Sequence, residues 1–172
     1  MLNKPAGILS TVLDERGRKT VIDILPLKYR GIGLHPVGRL DKDSTGLLLL
    51  TNDGDFTYKL THPRFECEKE YLVQVEGRLS SDEVRALERG VELEYGMTHG
   101  AVVKSIKSSP PFNYSVTLHE GRKRQVRRMF AALGYRVMAL KRVREGSVVL
   151  EGLGEGCARE LSAGEVGKLT SG

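Results

Sequence analysis

Turn-forming residues cut this 172-residue chain into apolar segments too short for long helices. Breaks such as Asp14-Glu15-Arg16-Gly17-Arg18, Pro26, Asn52-Asp53-Gly54, Gly77, Pro110-Pro111 and Gly134 recur along its whole length, drawn from 20 glycines and six prolines. Most of what lies between reads as strand. Residues 1–10 lead from a strand into a loop, 47–51 form a buried strand, and 71–75 alternate as Tyr-Leu-Val-Gln-Val. Further strands are expected at 101–106, 114–118, 136–143 and 147–150, and 20–25 is a short helical or extended piece. Helices are expected where caps and periodicity agree. One follows Asp55 as cap and runs to Leu60; a second follows Ser80-Ser81-Asp82-Glu83, with Val84 and Leu87 inward and Gly90 closing it. Two more are expected at 123–133 and 162–169. Strands outnumber helices and do not alternate with them, so the expected class is α+β around a mixed, mostly antiparallel sheet, in one domain with at most two lobes.

Runs such as Leu47 to Leu50 fall far short of the roughly 20 apolar residues a membrane span needs, and no charged start followed by an apolar core opens the chain. A soluble, cytoplasmic monomer with no membrane partner is expected. Cys67 and Cys157 stand 90 positions apart without metal-ligand spacing, so two reduced thiols and no metal site are expected.

The net charge of +5 is unevenly placed. Residues 121–144 hold nine of the 27 basic side chains and none of the 22 acidic ones, which leaves the remainder at −4. Such a segment suits a polyanion. Within it, 123–133 reads as a helix with Val126, Met129, Phe130 and Leu133 on one stripe and Arg124, Arg127 and Arg128 opposite. Arg122 and Lys123 would fall in its first turn, against the helix dipole, a placement that points to a purpose beyond stability, and both are expected to bind RNA. Arg124 and Arg128 are expected to meet phosphates, and Lys141 and Arg142 to run along the floor of the same groove.

A second polar stretch, His35-Pro36-Val37-Gly38-Arg39-Leu40-Asp41-Lys42-Asp43-Ser44-Thr45-Gly46, stands immediately before the leucine strand, where loops on a rigid sheet commonly carry sites. Its aspartates also fit turn or capping roles.

Gly38-Arg39-Leu40-Asp41 with Ser44-Thr45-Gly46-Leu47-Leu48 resembles the catalytic-aspartate motif of bacterial ribosomal pseudouridine synthases of the RsuA/RluB type. Lys69-Glu70-Tyr71 is similar to that family's second motif. Glu120-Gly121-Arg122-Lys123-Arg124-Gln125-Val126-Arg127-Arg128-Met129, followed by Leu140-Lys141-Arg142, is similar to its third, and Leu2-Asn3-Lys4-Pro5-Ala6-Gly7 to its first core strand. The resemblance implies the pseudouridine synthase fold with a central basic cleft, activity without metal or organic cofactor, and ribosomal RNA or an assembly intermediate as partner. It implies Asp41 as the essential carboxylate at the sugar's anomeric carbon, and Tyr71 stacked on the target base or acting as a base. Arg127 would pair with Asp41, Leu140 would form an apolar wall, and Arg39 would sit beside the flipped nucleotide. The chain opens on the first catalytic strand, so a catalytic domain over 1–172 is expected without the N-terminal RNA-binding module common in this family.

Two other classes compete. Asp41-Lys42-Asp43-Ser44-Thr45 satisfies the DxDxT-like pattern of magnesium-dependent haloacid dehalogenase-type phosphatases, but the preceding Val37-Gly38-Arg39-Leu40 is not the apolar strand that motif follows. A non-catalytic RNA-binding or ribosome-assembly protein would use the basic groove alone.

Overall fold

The structure is a computed structural model that describes residues 1–170. In chain order the strands are β1 (Leu2–Lys4), β2 (His35–Pro36), β3 (Thr45–Leu48), β4 (Leu50–Thr51), β5 (Lys69–Val75), β6 (Glu92–Leu93), β7 (Gly96–Met97), β8 (Val102–Ser105), β9 (Tyr114–Leu118), β10 (Val137–Glu145) and β11 (Val148–Val149). The helices are α1 (Gly54–Thr61), α2 (Ser81–Arg89), α3 (Gln125–Ala132) and α4 (Ala163–Thr170). The main sheet runs β1-β3-β10-β5-β9-β8, with β11 hairpinned onto β10. Within it only the β3–β10 pairing is parallel. The expected α+β fold with a mixed, mostly antiparallel sheet is what the chain forms.

Local chemistry accounts for most boundaries. Ser80 caps α2 in a reciprocal box with Glu83, and Gly90 takes a left-handed φ of 98° where the helix stops. The helix after β4 is capped by Asp53, whose carboxylate accepts from the backbone N–H of Asp55 and Phe56; Asp55 itself lies inside the first turn. The leucine strand is broken in two, because Leu49 leaves the ladder and β4 pairs with β2 in a separate small sheet. Residues 20–25 form neither helix nor strand but a run of turns held at Thr20 by Asp23.

Two apolar clusters fill the interior. The larger packs β5, β9 and α3 through Val73, Val116, Met129 and Phe130; the smaller joins Met1, Val37, Leu47, Leu49 and Leu60. Val126, Met129 and Phe130 of the stripe expected on α3 are buried in this way, each contributing about 2 kcal/mol, while Leu133, at the C-cap, is half-buried. The helix begins later than its periodicity suggests. Arg124 takes a left-handed φ of 53° as N-cap, and the Gln125 side chain accepts from the backbone N–H of Arg122, so Arg122 and Lys123 precede the helix.

Candidate active site

The loop between Val37 and β3 lies at the start of β3, beside the middle of β10 and against the N-terminal end of α3, and a cleft of about 600 Å³ opens there. Its wall includes Asp41, Tyr71, Leu140, Arg39, Arg122, Lys123 and Arg124, residues far apart in the sequence. Arg127, Arg128, Lys141 and Arg142, also expected at this site, do not line it.

Loop 41–44 is tied down from beneath by Lys4. This lysine is fully buried, and its Nζ donates to the carbonyls of Asp41 at 3.2 Å, Ser44 at 2.9 Å and Pro5 at 3.0 Å. Burial lowers its pKa to about 8, and the nearby carboxylates of Asp43 and Asp41 work in the other direction. A lysine at the end of the opening strand, with all three strand residues buried, is a feature that sequence reading passed over. Ser10 secures the other side: its hydroxyl donates to the Leu40 carbonyl and accepts from the Leu40 N–H.

Asp41 keeps 27% of its side chain exposed, enough for a substrate to reach it. The cation beside it is Arg124, with Nη1 3.7 Å from an Asp41 oxygen; Arg124 also grips Asp43 with two hydrogen bonds of 3.1 Å. These bonds hold the Asp43 carboxyl below the usual carboxylate range against the opposing effect of burial. The expected Arg127–Asp41 pair is corrected here. Arg127 donates to the Val137 carbonyl at 2.9 Å and to the Asp43 carbonyl at 3.3 Å, and its ion pair is with the Asp43 carboxylate. Anchored at the start of β10, its guanidinium braces the loop next to Asp41.

Tyr71 and Leu140 supply the apolar floor. Burial pushes the Tyr71 hydroxyl above the usual tyrosine range, with Arg142 pulling the other way. Arg142 was expected on the floor of an RNA groove, but it is the cross-strand partner of Tyr71 and lies beneath it, 2% exposed. Its Nε donates to the Leu47 carbonyl and its Nη2 is 3.1 Å from the fully buried Glu145. Two ions taken out of water cost several kcal/mol each unless paired, so Arg142 is committed to the core. Lys141, one residue earlier, falls on the opposite face of the strand from Leu140.

Other expected phosphate contacts also shift. The Arg122 guanidinium is spent on Glu120 and on the carbonyls of Gly96 and Met97, so it fastens the β6–β7 hairpin to the rim. Arg128 lies over the Tyr95 ring, 5.3 Å from its centroid. The cations on the cleft wall whose side chains make no hydrogen bond or ion pair among the described residues are Arg39, Lys42 and Lys123. Lys42 is flanked by two aspartates in sequence, but in the fold Arg124 takes Asp43 and leaves Lys42 free.

No group of three or more His, Cys, Asp or Glu side chains is gathered as metal ligands would be among the described residues, and no helix there is long and apolar enough to cross a membrane.

Residues 1–132 match the family described as RNA pseudouridylate synthase. A Bacillus subtilis protein named ribosomal large subunit pseudouridine synthase B is 45% identical over 98% of this chain and 70% of its own length. A Vibrio vulnificus protein named ribosomal large subunit pseudouridine synthase E is 40% identical over 94% of this chain and 74% of its own. A crystal structure of a pseudouridylate synthase superposes with a TM-score of 0.88 at 38% identity, over 98% of this chain and 72% of that one. With the motifs, the sheet and the cleft in agreement, this chain belongs to the RNA pseudouridylate synthase family.

Proposed function

We propose that this enzyme isomerises a uridine of large-subunit ribosomal RNA to pseudouridine, with Asp41 as the essential carboxylate. The observation that carries the assignment is the placement of Asp41. It is an accessible carboxylate on a loop pinned by Lys4 and Ser10, facing an apolar floor of Tyr71 and Leu140 inside a rim of unpaired cations. The names of the Bacillus subtilis and Vibrio vulnificus relatives support large-subunit RNA as the substrate.

The reaction breaks the bond between uracil N1 and the anomeric carbon, turns the base while it stays bound, and joins C5 to that same carbon. The C5 proton is lost and N1 ends protonated, so atoms balance without water or a second substrate. A carboxylate suits this chemistry because it can attack the anomeric carbon or offset the positive charge that develops there. Glycosidases need a second carboxylate to activate water; here water is to be kept out, and the Tyr71–Leu140 floor does that. The released uracil must turn without escaping, and the flat Tyr71 ring offers a surface on which it can do so. Arg124, with Nη1 3.7 Å from an Asp41 oxygen, holds a positive charge beside the reacting carboxylate.

Asp41→Asn preserves shape and removes the charge. It should leave RNA binding and folding near wild type while abolishing tritium release from unmodified large-subunit ribosomal RNA transcribed with [5-³H]uridine. Release by the variant beyond a trace would remove Asp41 from its role.

A further inference from the structure

The loop formed by residues 11–18 puts two apolar side chains into solvent at the mouth of the cleft. Val12 is 51% exposed and Leu13 is 78% exposed, and Leu13 is part of the cleft wall that also carries Asp41 and Tyr71. A single exposed leucine is common on any protein surface. What sets this one apart is its mounting.

The loop is stiff. The Asp14 carboxylate accepts from the backbone N–H of Arg16 and Arg18 and from the Arg18 guanidinium, and the Thr11 hydroxyl donates to the Leu13 carbonyl. Its two ends are paired through Leu9 and Thr20, and Ser10, just before the tip, holds the backbone of Leu40 next to Asp41. An apolar tip is therefore fixed in position relative to the reacting carboxylate. Around it the wall is cationic, with Arg39, Lys42 and Lys123 unpaired and Arg18 nearly half exposed, so the polymer it meets is a polyanion.

A uridine that reaches Asp41 must leave its stack, and its neighbours then expose apolar faces to water. Proteins that unstack nucleic acid commonly cover such faces with an inserted apolar side chain. We propose that Leu13, backed by Val12, is a base-stacking wedge that packs on the nucleobase next to the displaced uridine and holds the opened RNA, an inference that rests on the uridine-isomerising reading above. Leu13 is a positioning residue: it touches the neighbouring base and not the reacting atoms.

The test first uses unmodified large-subunit ribosomal RNA to locate the uridine that wild-type enzyme modifies. The hairpin containing it is then made with 2-aminopurine beside that uridine, which brightens when unstacked. Leu13→Ser should slow single-turnover tritium release about tenfold at saturating enzyme and reduce the fluorescence rise, with Leu13→Met close to wild type. On a second hairpin, in which the same uridine lies in an unpaired bulge and is already unstacked, Leu13→Ser should match wild type within about twofold. Equal rates for Leu13→Ser and wild type on the paired hairpin overturn the wedge, and so does an equal defect on both hairpins, which a merely structural role would give. If wild-type enzyme releases no tritium from the ribosomal RNA, the underlying functional reading fails instead.

Discussion

Arg124 and Arg127 are three positions apart at the start of one helix, yet the fold gives them different work. The family resemblance implies Arg127 as the partner of Asp41, and helical periodicity does not distinguish it from Arg124, since both lie off the buried stripe. The left-handed turn at Arg124 swings that side chain over the loop, where it reaches both Asp43 and Asp41, while Arg127 is drawn to the Val137 carbonyl. Arg124→Ala should accordingly lower the single-turnover maximum by ~10-fold, since a cation under 4 Å from a partly exposed carboxylate is worth about 1 kcal/mol or slightly more. Arg127→Ala leaves the Val137 and Asp43 carbonyls without their charged donor, while the Asp43 carboxylate keeps Arg124, and should cost about 2 kcal/mol of stability with a smaller change in rate. Single-turnover kinetics and urea denaturation of both variants check this. A larger rate loss for Arg127→Ala, with stability unchanged, would restore it as the partner of Asp41.

Elements with local signals are the legible part of the fold. The box around α2, the stripe of α3 and the alternation of β5 are written in short windows of sequence, and each lies within a few residues of where those windows place it. The parallel pairing of β3 with β10 is not legible, because it joins residues almost a hundred positions apart and depends on how closely two backbones approach. Gly46 makes that approach possible. It has φ of +104°, and a Cβ there would overlap the Arg142 carbonyl oxygen and come to 2.7 Å from the Arg142 nitrogen. Gly46→Ala should therefore destabilise the protein by about 3 kcal/mol, from backbone strain and enforced separation of the two strands. It should also reduce turnover, because β3 carries the Asp41 loop and β10 carries Leu140. A denaturation midpoint within about 0.5 kcal/mol of wild type would show that the strands can part without cost.

Across the whole molecule, the basic block at 121–144 is segregated in sequence but not in space. Glu120 takes Arg122, Asp43 takes Arg124 and Arg127, Glu145 takes Arg142, and Glu68 with Glu70 takes Arg144. Glu120 and Glu145 flank the block, but Asp43, Glu68 and Glu70 lie more than 70 positions from the arginines they take, so no count of local charge could have revealed that part of the neutralisation. The free cations of the cleft come partly from elsewhere, Arg39 and Lys42 from the aspartate loop and only Lys123 from the block. RNA affinity should follow this spatial arrangement. Removing one cation that binds a phosphate flattens the dependence of log affinity on log salt by roughly 0.7 to 0.9. Lys42→Ala and Lys123→Ala should each show that change when binding of the large-subunit ribosomal RNA hairpin is titrated across a salt series. Arg144→Gln removes a charge already committed to Glu68 and Glu70, and its slope should stay at the wild-type value. Equal flattening in all three variants would mean that RNA responds to the overall charge of the block and not to the cations the fold leaves unpaired.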